Sequence, residues 1–168
     1  LATGSLGNDI KLWNATTGES LGALTGHAAE IAALRFSPHG DRLASGDSRG
    51  NVRLWRLEDR GRGRPGSLGW IFERELIGHN GAISAIRFRP DGQLLITASG
   101  DHTCAQWNVA TGEENRHLAL KHDEYVSSLD LSADGRLALT TCDDGVARLW
   151  RIADAQVLAS AKSAGKPF

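Results

Sequence analysis

The sequence predicts an all-β protein built from repeated small antiparallel sheets, and three observations support this prediction. First, a histidine and a tryptophan recur 28 residues apart in three successive copies of one pattern. The pairs are His27 and Trp55, His79 and Trp107, and His122 and Trp150. Second, a turn glycine stands 15 residues before each of these tryptophans. Third, apolar and polar residues alternate within each copy, which is the period of a strand rather than of a helix. Self-similarity with a period of roughly 40 to 50 residues is typical of repeat architectures.

Each copy predicts four short strands joined by tight turns. Between the first two strands, proline, aspartate and glycine supply the fixed and positive φ angles that such turns require. The first strands are predicted at 31–36, 83–88 and 126–131, the second at 43–45, 94–97 and 137–140, the third at 51–55, 103–107 and 146–150, and the fourth at 20–25, 72–77, 117–120 and 156–160. A small sheet of this kind leaves one face bare, so successive copies are expected to stack.

Three features of the copies together resemble the WD-repeat β-propeller family. They are a Gly-His pair before the first strand, a Phe-Ser-Pro-x-Gly turn at 36–40, and a tryptophan 28 residues after the histidine. The resemblance covers nearly the whole chain and implies β-propeller blades of four antiparallel strands. Two departures stand out. Lys121 replaces the glycine in the third Gly-His pair, and no aspartate follows a repeat tryptophan. The residues found there are Asn14, Arg56, Asn108 and Arg151.

The resemblance divides the chain into blades. A partial blade is expected at 1–25, full blades at 26–77, 78–120 and 121–162, and a short tail at 163–168. Residues 1–3 match 43–45 in the second strand of a full blade, so the first blade lacks its innermost strand. About three and a half blades make an incomplete ring. We therefore expect the chain to be part of a larger WD-repeat protein, whose further blades or domains contact it.

Composition restricts the classes of function. A formal net charge of −1 with 23% charged residues provides no overall electrostatic attraction to nucleic acid or an acidic membrane. No apolar run approaches the roughly 20 residues that span a bilayer. The two cysteines, Cys104 and Cys142, make no disulfide framework and are expected to be reduced thiols, which favours a cytoplasmic location. No cofactor and no metal site are predicted.

A histidine, a hydroxyl residue and an aspartate accompany the tryptophan in the copies. In the WD-repeat family such a set forms a buried hydrogen-bond relay. A buried indole N–H needs an acceptor, a hydroxyl can accept and donate, and a histidine can pass the bond to a carboxylate. The resemblance therefore implies two complete structural tetrads, which are His79, Thr97, Asp101 and Trp107, and His122, Thr140, Asp144 and Trp150.

The copy that holds His27, Ser45 and Trp55 departs from this set. Arg49 stands at the aspartate position and cannot accept a hydrogen bond, so Asp47 or water is expected to serve the histidine. The partial copy at the start of the chain has a glycine at the same position. These two blades are expected to be the weaker ones.

The same residue types also make up the acyl-transfer triads of hydrolases. A catalytic nucleophile needs an open cleft beside it, and a set that is repeated once in each blade is not a single site. Threonine replaces serine in two of the three full copies. We therefore expect a structural role for these residues and no enzyme activity.

One connection between a third and a fourth strand carries a Gly/Arg-rich insertion, at 58–69. Three arginines from Arg60 to Arg64 resemble the arginine-glycine segments that bind RNA. Two neighbouring acidic residues offset part of their charge, so a solvated loop is favoured and nucleic-acid binding is the weaker alternative. Trp70, directly after the insertion, is expected to cover the edge of its blade.

The resemblance implies a protein–protein interaction scaffold, and the alternative is a regulatory or substrate-presenting propeller attached to a catalytic domain elsewhere. In this family, the loops before the first strand and between the second and third strands share one face. We expect that face to bind a protein or a basic or amphipathic peptide. The candidate contact residues are Glu30, Asp47, Arg49, Asn80, His102, Asp123, Glu124 and Tyr125. Tyr125, the only tyrosine, is either an exposed anchor or a residue packed under its loop.

Overall fold

The computed structural model describes residues 1–59, 68–115 and 119–163. Within these ranges all regular structure is β-strand, and fifteen strands form four antiparallel sheets. Three sheets have four strands and one has three, and strands that follow each other in sequence pair side by side. The predicted all-β fold of four-stranded propeller blades is confirmed.

The strands have the following bounds. The first sheet contains β1 (Ala2–Gly4), β2 (Ile10–Trp13) and β3 (Ser20–Leu24). The second contains β4 (Ile31–Phe36), β5 (Arg42–Asp47), β6 (Val52–Asp59) and β7 (Leu68–Leu76). The third contains β8 (Ile83–Phe88), β9 (Leu94–Ser99), β10 (Thr103–Asn108) and β11 (Leu120–Lys121). The fourth contains β12 (Val126–Leu131), β13 (Leu137–Cys142), β14 (Val146–Arg151) and β15 (Gln156–Lys162). The predicted first strands agree with β4, β8 and β12 at both ends.

Each four-stranded sheet turns between its first and second strands at a predicted glycine. Gly40, Gly92 and Gly135 have φ angles of 72°, 70° and 68°, a region in which a side chain would be strained. The amide of each glycine donates to the carbonyl three residues earlier. The turn chemistry seen in the sequence therefore sets the hairpin that begins each sheet.

The insertion is not a loop along its whole length, which corrects the expectation for 58–69. β6 continues to Asp59 and β7 begins at Leu68, so that Glu58 pairs with Gly69. Extending the ladder pairs backbone donors and acceptors that a loop would leave to water. The arginines from Arg60 to Arg64 lie outside the described residues, as do residues 117 and 118 of the predicted fourth strand at 117–120 and the tail beyond Ser163.

Three apolar clusters lie between adjacent sheets and hold the stack together. Each cluster joins residues of two neighbouring sheets, as in the pairs Ile10 and Trp55, Leu54 and Ile86, and Ile96 and Leu129. Burying one such side chain contributes about 1.5–3 kcal/mol. Trp70 packs against Phe36 at a ring-centroid distance of 5.6 Å and joins the first of these clusters. Each of the first three sheets thus has one face covered by the next sheet.

The innermost strands of neighbouring sheets meet each other. β4 packs beside β8, and β8 beside β12. β1, which matches the second strand of a full blade, packs beside β4. On the far side of the stack, the fourth sheet keeps an open face. Leu139 lies on this face and is 49% exposed, whereas Ala44 and Ile96 at the same position of the repeat are fully buried.

Candidate functional site

The third sheet carries a continuous chain of hydrogen bonds from its tryptophan to its aspartate. The indole Nε1–H of Trp107 donates to Oγ1 of Thr97 at 2.8 Å. Nε2 of His79 lies 2.7 Å from the same Oγ1, and Nδ1 of His79 lies 2.7 Å from Oδ2 of Asp101. With Nδ1 protonated, the imidazole donates to the carboxylate and accepts from the hydroxyl, so every group has a partner.

The second sheet makes the same chain with a carboxylate from another position. Trp55 Nε1 donates to Ser45 Oγ at 2.9 Å, and His27 Nε2 lies 2.6 Å from that oxygen. Nδ1 of His27 lies 2.8 Å from Oδ2 of Asp47. Asp47 also accepts from the backbone and side-chain nitrogens of Asn51. Asp47 therefore replaces the aspartate that this copy lacks at its usual position.

The fourth sheet differs from the expected tetrad at its last member. Trp150 donates to Oγ1 of Thr140 at 2.8 Å, and His122 Nε2 lies 2.7 Å from that hydroxyl. Nδ1 of His122 then donates to the carbonyl of Leu120 at 3.2 Å. The expectation that Asp144 accepts from His122 is wrong, because the carboxylate of Asp144 instead binds Nη2 of Arg148 at 2.6 Å.

The incomplete first sheet contains only the bond between the tryptophan and the hydroxyl residue. Nε1 of Trp13 donates to Oγ1 of Thr3 at 2.8 Å, and this pair lies at an exposed position. The bond follows from the hairpin alone, because a tryptophan ten residues after the hydroxyl lies on the neighbouring strand.

Burial and hydrogen bonding together set the pKa values of the histidines and aspartates in these sets. Burial lowers the pKa of His122 to about 4, with a further contribution from the charge of Arg148. Burial also lowers the pKa of His27, although Asp47 opposes this effect. Burial disfavours the charged form of Asp101 as well, but hydrogen bonds from His79 and other donors outweigh it and lower the pKa of this carboxyl.

The geometry of these sets suits support of the fold rather than nucleophilic catalysis. The side chain of His79 is 1% exposed. Its hydroxyl partner Thr97 is fully buried and already accepts the indole N–H of Trp107. A substrate carbonyl has no open approach to such an oxygen, which acyl transfer would require.

The loops before the first strands are hydrogen-bonded to the loops between the second and third strands. The bonds are Ser48 N–H to Glu30 O at 2.9 Å, Gly100 N–H to Ala82 O at 2.8 Å, and Asp143 N–H to Tyr125 O at 2.9 Å. One bond of this kind occurs in each four-stranded sheet. The loops therefore lie together at one end of the stack, which we name the upper surface, and the opposite end is the lower surface.

Most of the candidate contact residues are exposed on the upper surface. The exposed ones are Glu30, Arg49, Asn80, His102, Asp123 and Glu124. The expectation that Asp47 contacts a partner is wrong. Its carboxylate is fully buried against His27 and is not available to a partner. Tyr125 is half-buried, and its ring packs so closely on Gly100 that a side chain at that glycine would overlap it. Asp143, which is exposed beside Tyr125, adds another carboxylate.

Arg148 is a residue whose role the sequence reasoning missed. Its guanidinium binds Asp144 at 2.6 Å and lies 3.4 Å from Asp123, which joins the upper loop to the strand below it. The four-residue spacing of Asp144 and Arg148 was the available signal. The repeat pattern pairs Asp144 with His122 instead, and so it does not indicate the ion pair between Asp144 and Arg148.

Comparison with known proteins places the chain among repeat proteins. A family model described as WD domain, G-beta repeat, matches residues 18–56, 70–108 and 114–151. The chain belongs to the WD-repeat family. Each matched WD repeat covers the last strand of one sheet and the first three strands of the next. Every WD repeat therefore contributes strands to two neighbouring blades and connects them through the backbone.

Two relatives are considerably longer than this chain. It is 30% identical over 127 residues to a chromatin assembly factor 1 subunit FAS2 homolog of Oryza sativa subsp. japonica, covering 70% of the chain and 24% of that protein. It is 34% identical over 103 residues to a guanine nucleotide-binding protein subunit beta of Zea mays, covering 61% of the chain and 26% of that protein. The chain thus spans about a quarter of the length of these curated relatives. In residues 1–59, 68–115 and 119–163, no helix is long and apolar enough to cross a membrane.

Proposed function

We propose that this chain is a non-catalytic protein–protein interaction scaffold whose upper surface binds a basic or amphipathic peptide. The observation that carries the proposal is the hydrogen-bonded set of upper loops, which places side chains from three blades on one exposed surface. Both relatives are named as subunits, which supports a role in assemblies. The two cysteines are buried free thiols, which supports the cytoplasm as the location.

The charge of the upper surface favours a basic partner. Four exposed carboxylates lie on its loops, those of Glu30, Asp123, Glu124 and Asp143. The nearby cations are the exposed guanidinium of Arg49 in the same loops and the half-buried guanidinium of Arg148, which lies 3.4 Å from Asp123. Opposite charge on a partner would speed encounter and fix its register. The attraction should weaken as salt rises, because these groups are exposed.

Tyr125 supplies an apolar contact within this acidic surface. Its ring is held against Gly100 of the preceding blade, so little conformational freedom remains to be lost on binding. The residue is half-buried and lies next to the exposed Asp123 and Glu124 in sequence. Aromatic side chains in such settings often dominate the energy of an interface.

The test is a pull-down from cell extract with the protein in its full natural length. Tyr125→Ala and Glu124→Lys should each remove the partners that bind through the upper surface. Partners should stay bound when the arginines from Arg60 to Arg64 are changed to serine. The proposal is wrong if the upper-surface variants keep every partner and the arginine variant loses them, which would favour nucleic-acid or partner binding through the insertion.

A further inference from the structure

A row of charged side chains crosses three blades on their innermost strands. Arg35 of β4, Arg87 of β8 and Asp130 of β12 each stand 20 residues before the repeat tryptophan. Nε of Arg87 donates to Oδ1 of Asp130 at 2.9 Å, so neighbouring inner strands bring this position into contact. Arg87 also donates to the carbonyl of Ile86 through Nη1.

These three side chains lie in a pocket of about 340 Å³ at the lower ends of the inner strands. We name it the lower pocket. Its apolar wall includes the half-buried Phe36 and the buried Phe88, and its rim includes the exposed Pro38 and Pro90. The volume is near the lower limit of typical small-ligand sites, so it accommodates a few side chains.

The charges of the lower pocket do not balance. The carboxylate of Asp130 is hydrogen-bonded by Arg87, and the more distant charge of Arg35 also lowers the pKa of Asp130, but within the described part of the chain no acceptor hydrogen-bonds to Arg35 or forms a salt bridge with it. The guanidinium of Arg35 is exposed at the pocket, and its planar donors match a carboxylate. A ligand that brings one negative charge would neutralise the row of two cations and one anion.

We propose that the lower pocket binds an internal peptide segment that presents a glutamate or aspartate to Arg35 and places an adjacent large apolar side chain against Phe36 and Pro90. An internal segment fits because the exposed prolines leave the rim open, so that a chain can enter and leave the pocket. This site is separate from the upper surface. The lower pocket gives the scaffold a second partner, which is acidic, whereas the partner of the upper surface is basic.

The test measures fluorescence anisotropy of labelled peptides on the protein in its full natural length. The probe is an amidated peptide of alternating glutamate and leucine. One comparison peptide replaces glutamate by glutamine, and another replaces leucine by serine. A third is the glutamine peptide with a free carboxyl terminus. We expect saturable binding of the first peptide only, weakened at least about tenfold by Arg35→Glu. Arg35→Lys should weaken binding less than Arg35→Glu, because lysine keeps the charge and loses only the planar donors.

The matched control is Arg136→Glu, which makes the same charge change at a side chain that is 84% exposed and does not line the pocket. It should leave binding within about twofold of wild type. Several results would overturn the proposal. They are no saturable binding below about 1 mM, equal losses in Arg35→Glu and Arg136→Glu, tight binding of the serine peptide, and tight binding of the free-terminus peptide, which would indicate capture of a chain end.

Discussion

Nδ1 of His27 lies 2.8 Å from Oδ2 of Asp47, and the two side chains are only 1% and 0% exposed. Asp47 stands two residues earlier in its repeat than Asp101 does. Both carboxylates nevertheless reach Nδ1 of the repeat histidine, because Asp47 ends the second strand of its sheet and Asp101 lies in the turn that directly follows the second strand. The acceptor of the histidine N–H can therefore stand at more than one position of the repeat, provided that its carboxylate reaches Nδ1.

Removing either carboxylate should destabilise the fold. We expect Asp101→Ala and Asp47→Ala each to lower the free energy of unfolding by roughly 1–3 kcal/mol, since a buried donor of the histidine loses its acceptor. Urea unfolding followed by tryptophan fluorescence measures this loss. Arg49→Ala is the control and should be nearly neutral, because only its backbone nitrogen bonds Asp47. An Arg49 effect equal to that of Asp101 would contradict the assignment.

The fourth sheet should show no coupling between its histidine and its aspartate. In a double-mutant cycle, Asp101→Ala and His79→Ala should be coupled by about 1 kcal/mol or more. The same cycle on Asp144 and His122 should give less than about 0.5 kcal/mol at neutral pH, because Asp144 binds Arg148 instead. Strong coupling in the second cycle would mean that the histidine exchanges Leu120 for the carboxylate in solution.

The buried histidine of the fourth sheet should make stability depend on pH. The pKa of His122 falls from the ordinary 6.5 to about 4 on folding, so the unfolded chain binds the proton more readily. Stability is fully present above pH 6.5 and is lost as the pH falls from there towards 4. The loss amounts to about 3 kcal/mol for this residue.

The unfolding midpoint measured at several pH values checks this expectation. His122→Gln should flatten part of the profile between about pH 6.5 and 4. His39→Gln is the control, because His39 is exposed in a turn, and it should leave the profile unchanged. Equal profiles for wild type and His122→Gln would show that folding does not shift the pKa of His122.

Residues 1–168 expressed alone should self-associate through the open face of the fourth sheet. Leu139, Val157 and Leu158 are exposed in this sheet, and the first of them stands where other sheets bury an apolar residue. Exposed apolar faces and strand edges of this kind promote association. Light scattering should show that Leu139→Lys reduces association, whereas Leu6→Lys, a change at an exposed leucine in a turn, does not. A stable monomer in the unmodified chain would contradict the expectation.

Local pattern was sufficient for the strands and for the tryptophan bonds. The period of two, the turn glycines and the repeat spacing place β4, β8 and β12 correctly, because hairpins are set by contacts between residues close in sequence. The bond from Trp107 to Thr97 follows in the same way, since both residues belong to one hairpin.

Competition between partners and contacts between blades decided the rest. Whether a carboxylate reaches the histidine depends on competitors such as Arg148, which the repeat pattern does not contain. The ring of Tyr125 meets Gly100 of another blade, and Arg35, Arg87 and Asp130 meet only because three blades stack about one axis. The sequence by itself determined the blades and their tryptophan–hydroxyl bonds, which hydrophobic period and turn chemistry specify locally. The tertiary structure alone decided which charges meet and which stay unpaired, because the packing of side chains within and between blades determines which of several possible partners lies within reach.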